Sequence, residues 1–291
     1  NGCRDIEVDM SFQVRSLSEA LGAEVIGLDL AEPLDDATFA CVHQAHLDYQ
    51  VLVFRDQHLT PEQHIAFSRR FGHLSGHVYG QFLLPGYPDI LKVSNKKTAD
   101  GDFAGLASAG HRWHSDLSYA PTPSLGSLLY ALEIPQEGGD TLFNNMYRAY
   151  ETLAEATKAK IDGLKAEFLI GSARKYYTEK ERPPLTEEQL ALVPPVEHPV
   201  VRTHPETKRK ALYVNPAHTV RILGLDEAEA DALLTELTEY SVEPQFVYRH
   251  TWHLHDLVFW DNRCCMHIAE PPPPGTNRHM HRTTVVGDTP Y

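Results

Sequence analysis

Short apolar runs separated by turn residues dominate the first third of the chain. Residues 12–30 alternate such runs (Phe12 to Val14, then GAEVIGLDL) with glycine, and predict two short strands around Gly22 and Gly27. From Asp35 onward, Phe39, Val42, Ala45 and Tyr49 recur at steps of three and four, the spacing of one helix face. Asp35 or Asp36 can cap that helix. VLVF at 51–54 predicts a buried strand. Thr60-Pro61-Glu62-Gln63 combines a cap residue, a first-turn proline and a glutamine at the third helical position. The helix it opens is expected to run to about Phe71 and stop at Gly72.

Further along, ILKVSN (90–95) predicts a strand, followed by a polar, glycine-containing loop over 96–110. HRWHSDLSY (111–119) alternates in a strand-like way. LGSLLYALEI and TLFNNM read as strands around the turn QEGGD, and Tyr147 to Leu164 reads as a helix. Residues 171–195 are charged and proline-containing without strong periodicity, the pattern of a long excursion or lid. From 196 the strands return as HPVVRTH, KALYVN, QFVYRHTW, DLVFWDN, MHIAE and HMHRTTVVGD, with one helix at 225–240. The proline run 271–274 is a rigid loop that cannot sit inside a central strand. Many short strands with few helices predict a mainly β fold, a sandwich or barrel with flanking helices. A doubly wound parallel sheet fits poorly, because strand–helix alternation is not sustained and neither GxGxxG nor GxxxxGK[ST] occurs.

Composition narrows the function. The 291 residues are 42% hydrophobic and 23% charged, ordinary for a globular protein. Forty acidic side chains against 26 Lys and Arg give a net charge of −14, which argues against a nucleic-acid partner. No stretch approaches the roughly 18 apolar residues of a membrane helix, and NGCRDIEVDM at the start has no signal-like apolar core. Cys3, Cys41, Cys264 and Cys265 are too few for a disulfide scaffold. A cytoplasmic, reducing setting without membrane association is expected. Seventeen histidines direct attention to metal chemistry.

His114-Ser115-Asp116 is the first candidate. On a strand, residues two apart face one side, so an imidazole and a carboxylate could hold one metal ion together. His267, in DNRCCMHIA after the apolar DLVFW, is the best third ligand. Two histidines and a carboxylate on one face of iron leave positions open, the arrangement of non-haem Fe(II) oxygenases. A His-x-Asp pair recurs by chance, so its companions matter. Arg278 and Arg282 lie four apart and would share one face of a strand. Guanidinium groups grip carboxylates with two prongs, so the pair suits a dicarboxylate co-substrate and an anionic substrate. Thr141, just after Gly138-Gly139-Asp140, offers a hydroxyl.

With these residues in hand, the chain resembles the Fe(II)/2-oxoglutarate-dependent dioxygenases of the taurine dioxygenase / 2,4-dichlorophenoxyacetate dioxygenase family. The matching stretches run nearly end to end: LGAEVIGLDL, VLVFRDQHLTPEQHIAFSRRFG, WHSDLSY, EGGDTLF, HPVVRTHPETKRKALYVN, DLVFWDNRCCMH and HRTTVVGD. The resemblance implies a double-stranded β-helix, or jelly roll, as a single domain over 1–291, with lid or insert segments near 76–110 and 171–195. It implies His114, Asp116 and His267 as iron ligands and catalytic centre. It implies Thr141 and Arg278 on the distal carboxylate of 2-oxoglutarate, with O2 as the other co-substrate, and Arg282 on the anionic group of a small organic substrate. Trp113 would pack near the site. A homo-oligomer, dimer or larger, is implied as well.

The substrate is less sharply marked. His77 matches a sulfonate-binding histidine of taurine dioxygenases, but the companion asparagine of those enzymes is Gly110 here, and an aromatic pocket position is His218. ILKVSN, RWHSD and QFVYRHTW resemble instead the 2,4-dichlorophenoxyacetate enzymes. Tyr79, Asn95, Phe168 and Arg174 are further pocket candidates, whereas Cys264 and Cys265 read as packing. The reading is an aryloxyalkanoate dioxygenase that cleaves an ether and forms succinate and CO2. The alternative is a taurine, alkylsulfonate or alkyl sulfate dioxygenase. A zinc hydrolase on the same triad and a non-catalytic jelly-roll binding module remain as distant rivals.

Overall fold

The apolar runs are strands buried on both faces. The computed structural model describes residues 12–107, 109–171 and 183–291. Chain order begins β1 (Gln13–Ser16), β2 (Ala23–Ile26), α1 (Asp36–Tyr49), β3 (Val51–Phe54), α2 (Pro61–Arg69), β4 (Leu83–Leu84) and β5 (Tyr87–Ser94). It continues β6 (Ser124–Glu133), β7 (Thr141–Asn144), α3 (Met146–Glu151), α4 (Glu155–Ile161), β8 (Lys165–Phe168), α5 (Glu187–Ala191), β9 (Val196–Pro199), β10 (Val201–Thr203) and β11 (Lys210–Leu212). It closes with β12 (Thr219–Ile222), α6 (Glu227–Ser241), β13 (Val247–His250), β14 (Leu257–Asp261), β15 (His267–Ala269) and β16 (His279–Val286).

The major sheet runs β1-β2-β3-β14-β6-β16-β5-β4, antiparallel except where β2 meets β3. The minor sheet is β13-β7-β15. In the major sheet, Leu52, Phe54, Leu128, Tyr130, Leu257 and Phe259 pack in one cluster with Val42 and Ala45 of α1 and Phe67 of α2. Their neighbours Val51, Val53, Leu129, Ala131, Val258 and Trp260 turn the other way and pack with Phe143 of the minor sheet. Alternation along each strand therefore feeds two cores, and a strand with two buried faces reads as a continuous apolar run. This is the jelly roll with flanking helices, and the site lies in the inner core between the two sheets.

The helix signals were local and hold. Asp35 caps α1 by accepting from the Thr38 N–H, and Thr60 and Gln63 close a reciprocal capping box on α2. Three expectations need correction. Tyr147–Leu164 is two short helices, α3 and α4; the Thr152 hydroxyl bonds back to Arg148 O at 2.7 Å and Leu153 turns inward. Residues 111–119 form no strand: they make a single backbone bridge, at His114, after which Asp116 N–H turns to the Asn262 side chain and the chain continues in turns. The segment 76–110 is not a lid throughout: it contains β4 and β5, the outer strands of the major sheet.

Helices α1 and α2 bury two histidines against this sheet. His46 stacks on Phe259 with ring centroids 3.8 Å apart, and His64 meets Thr283 Oγ1 at 3.2 Å. Burial pushes each imidazole down from 6.5 to about 3. Between those values the unfolded chain binds a proton that the folded protein does not, so stability is lost as pH falls from 6.5 towards 3. Lowering pH from 7 to 5 is expected to cost about 2 kcal/mol per histidine. Denaturant midpoints at the two pH values check this, and a flat profile would contradict it.

Candidate active site

His267 opens β15, whose partner β7 sets it opposite Phe143. His114 joins it through an isolated two-residue bridge: His114 N–H donates to His267 O at 3.1 Å and His267 N–H to His114 O at 2.8 Å. The chain then turns. Ser115 Oγ donates to Cys265 O at 2.8 Å, Asp116 N–H donates to Asn262 Oδ1 at 3.0 Å, and Leu117 takes a left-handed φ of 54°. The convergence of His114 and Asp116 comes from this tethered turn and not from a strand.

One nitrogen of each histidine and the Asp116 carboxylate lie within 4.8 Å of one another, all buried. His114 Nε2 is 3.6 Å from Asp116 Oδ1, and His267 Nε2 is 3.9 Å from Oδ2. His114 Nδ1 lies against the carbonyls of Arg112 and His267, at 2.8 and 3.1 Å. Its proton sits there, which leaves the Nε2 lone pair facing Asp116. Burial, then His114, hold the His267 imidazole well below its ordinary range. Burial alone would raise the Asp116 carboxyl, but Arg282 and the two histidines keep it well below the usual range. Neutral imidazoles and an ionised carboxylate are the forms that bind a divalent metal.

Asp116 is held by groups that the sequence pattern did not disclose. Ser127 Oγ donates to Oδ2 at 2.7 Å. Asn262 receives Asp116 N–H and Trp260 Nε1 on its carbonyl, and its amide nitrogen donates to Ser124 and Ser127. The only signal available was position, since Asn262 ends the run that leads to His267. Arg282 Nη1 donates to Asp116 Oδ1 at 2.7 Å, so the expected substrate arginine is also the partner of the carboxylate. Arg282 Nε is buried without a partner.

Arg278, four residues before Arg282, faces the same inner space beside Thr141, with Nη2 3.3 Å from Thr141 Oγ1. Among the described residues its Nε has no partner and the guanidinium no counter-ion, and burial pushes the guanidinium down from 12.5 to about 10. A buried cation beside a hydroxyl fits the carboxylate end of a dicarboxylate. Trp252, which the sequence reading also missed, donates from Nε1 to Thr141 Oγ1 at 3.0 Å.

The other side of the triad opens on a pocket whose wall includes His77, Tyr79, Leu106, Tyr119, Ile170 and His218, with Arg282 at its base. His77 Nδ1 accepts from Tyr79 N–H at 3.2 Å. His218 Nδ1 meets Ser118 Oγ at 2.9 Å, and Asn215 Nδ2 donates to that hydroxyl at 3.0 Å. Gly110 also lines the pocket at φ +81°, and a Cβ there would stand 3.3 Å from Ala269 Cβ and 3.6 Å from the His114 ring. A side chain at this position would be strained and crowded against Ala269 beside the His114 ring.

Two candidates lie elsewhere. Asn95 does not line this pocket: its side chain clamps the approach to β16, donating to Thr276 O and accepting from Arg278 N–H. Phe168 is fully buried on β8 among His198 and Tyr213, as core. Arg174 lies outside the described residues. Trp113 is partly buried against the inner core, and Cys264 and Cys265 are buried in the link from β14 to β15. A second cluster, His204, Asp261 and Cys264, is closed to metal. His204 Nδ1 accepts two backbone N–H groups, so its Nε2 proton goes to Asp261, which Arg263 also grips.

Residues 13–284 match the family described as "Taurine catabolism dioxygenase TauD, TfdA family". The chain belongs to that family. It is 34% identical over 288 residues to the alpha-ketoglutarate-dependent 2,4-dichlorophenoxyacetate dioxygenase of Cupriavidus pinatubonensis, covering 96% of this chain and 99% of that protein. It is 34% identical over 283 residues to the (S)-phenoxypropionate/alpha-ketoglutarate-dioxygenase of Sphingobium herbicidovorans, covering 96% of each. Among solved structures, AAD-2 in complex with Mn(II) and N-oxalylglycine superposes with a TM-score of 0.82 at 35% identity, covering 97% of this chain and 99% of that one. The TauD/TfdA match reaches from β1 into β16 and includes every described site residue.

Proposed function

We propose that this chain is an Fe(II)- and 2-oxoglutarate-dependent dioxygenase acting on a small anionic substrate of the aryloxyalkanoate type. One observation carries the reading. The His114–Asp116–His267 cluster shares a buried space with Arg278, which has no counter-ion among the described residues, and with Arg282. Bound by those three residues, Fe(II) supplies the redox chemistry that consumes O2 and the keto acid. In overall balance, substrate C–H, 2-oxoglutarate and O2 become substrate C–OH, succinate and CO2. Thr141 and Arg278 anchor the distal carboxylate of the co-substrate. Arg282, held by Asp116 through one nitrogen, orients the substrate anion through its remaining donors. The pocket's apolar and aromatic side chains exclude water around an aryl ring, and Gly110 keeps that space clear. Hydroxylation of the carbon that bears the ether oxygen gives a hemiacetal, which expels a phenol and leaves a 2-oxo acid.

The choice of an aryloxyalkanoate rests on relatives of that activity matching nearly the whole chain, and on the glycine where taurine enzymes carry asparagine. No helix among the described residues is long and apolar enough to cross a membrane. The buried, unbridged Cys264 and Cys265 suit a cytoplasmic setting.

The test is an anaerobic titration with Fe(II) and 2-oxoglutarate, followed by O2 and a panel of aryloxyacetates, 2-aryloxypropanoates, taurine, alkylsulfonates and alkyl sulfates. A visible charge-transfer band and equimolar succinate and phenol are expected. Coupled sulfite or sulfate would move the protein to the sulfur branch. Intact protein with neither band nor succinate would overturn the oxygenase reading.

A further inference from the structure

Thr141 opens β7, and two groups that can only donate approach its hydroxyl oxygen. Trp252 Nε1 lies 3.0 Å away and Arg278 Nη2 3.3 Å away. An indole N–H and a guanidinium offer no lone pair, so both lone pairs of Thr141 Oγ1 are taken. The hydroxyl proton must then go to a third group, and among the described residues no acceptor stands in reach of it. Arg278 Nε, in the same chamber, is buried with no partner either. Two donors thus converge on one missing acceptor.

The indole is fixed independently of any ligand. Trp252 is 6% exposed and meets the His250 ring edge-on at 4.6 Å. His250 is tied to Asp256 at 3.2 Å and to the Tyr248 hydroxyl at 3.1 Å, so the end of β13 sets the indole's place. The Arg278 guanidinium also lies 5.6 Å from the centre of the Trp252 ring. One side chain therefore touches both groups of the chamber.

We propose that Trp252 is a positioning residue for the co-substrate: its N–H occupies Thr141 Oγ1 and commits the threonine proton to the distal carboxylate. The inference rests on the 2-oxoglutarate reading above. Without the indole N–H, the hydroxyl is free to rotate, and the carboxylate loses an oriented donor. A keto acid that lacks the distal carboxylate never meets Thr141 and is indifferent to Trp252.

The experiment is calorimetric titration of the Mn(II)-loaded protein, without O2, using 2-oxoglutarate and pyruvate. Trp252→Phe keeps an aromatic ring and removes the N–H donor together with part of the indole, a loss of packing that the pyruvate control reports. Its 2-oxoglutarate Kd is expected to rise about tenfold, the scale of one hydrogen bond to a charged group. Pyruvate affinity should stay unchanged, which also reports a folded chamber. In a Thr141→Val background, Trp252→Phe should cost nothing further, because the hydroxyl it orients is gone. Unchanged 2-oxoglutarate affinity in Trp252→Phe would overturn the role, as would equal losses for both ligands or a full further loss in Thr141→Val. Wild-type protein that binds no 2-oxoglutarate would overturn the co-substrate reading itself, a result distinct from these.

Discussion

Asp116→Ala is expected to abolish iron-dependent turnover and also to destabilise the metal-free protein. The two effects have separate causes. Asp116 is the only carboxylate of the cluster, so its loss leaves two imidazoles. Removing even a supporting partner of a metal ligand costs about 10- to 100-fold in affinity, and loss of the ligand itself is expected to exceed about 100-fold. Stability falls because Asp116 pairs with a buried guanidinium, Arg282, at 2.7 Å. Removing one member of a buried pair costs about 3–5 kcal/mol, because the other charge is stranded. Asp116→Asn keeps the shape and an acceptor for Arg282 but not the counter-charge, so it should lose metal and keep only part of the stability that Asp116→Ala loses. Asp116→Ala combined with Arg282→Leu should regain stability without regaining metal. Cobalt titration and denaturant unfolding of these variants separate the effects. Full turnover in Asp116→Ala would remove the carboxylate from the metal site.

What the sequence disclosed and what it withheld divide along the range of the interactions. Helices α1, α2 and α6 are marked by caps three residues from their partners, so they are visible in a short window. The strands β3, β6 and β14 are visible as apolar runs because both faces are buried. The family resemblance supplied the jelly roll, which periodicity alone left as sandwich or barrel. The turn at 114–117 was hidden because its hydrogen bonds go to Asn262 and Cys265, 146 and 150 residues away along the chain. Ser127, Asn262 and Trp252 were missed for the same reason. Each acts through one polar atom on a distant partner, and nothing in its own neighbourhood distinguishes it from a packing residue. Asn95 was legible as polar and near the site, but only geometry assigns its amide to the backbone ahead of β16.

Arg278→Met should have the opposite sign on stability from Asp116→Ala while removing the co-substrate. Arg278 is buried with no counter-ion among the described residues, and its guanidinium is pushed down to about 10 by burial. Spread over the gap from 12.5, that burden is about 3 kcal/mol carried by the ligand-free protein. Methionine fills much of the arginine stem's volume without a charge, so the ligand-free variant should be more stable, by up to that amount. Binding moves the other way. A buried guanidinium facing a carboxylate is worth about 2–5 kcal/mol when one side is truncated, or about 30- to 5,000-fold in Kd. The loss should fall on 2-oxoglutarate and spare both pyruvate and Mn(II), since neither touches Arg278 in this arrangement. Arg282→Met gives the contrast: it strands the Asp116 carboxylate, and its penalty should fall on the aryloxyalkanoate more than on 2-oxoglutarate. If Arg278→Met weakened the prime substrate instead, the two arginines would have exchanged roles. If it left 2-oxoglutarate affinity intact, the uncompensated charge beside Thr141 would serve some other anion. The stability gain is the sharper of the two readings, because it needs no ligand: a residue kept against its own burial cost is a residue kept for what it binds.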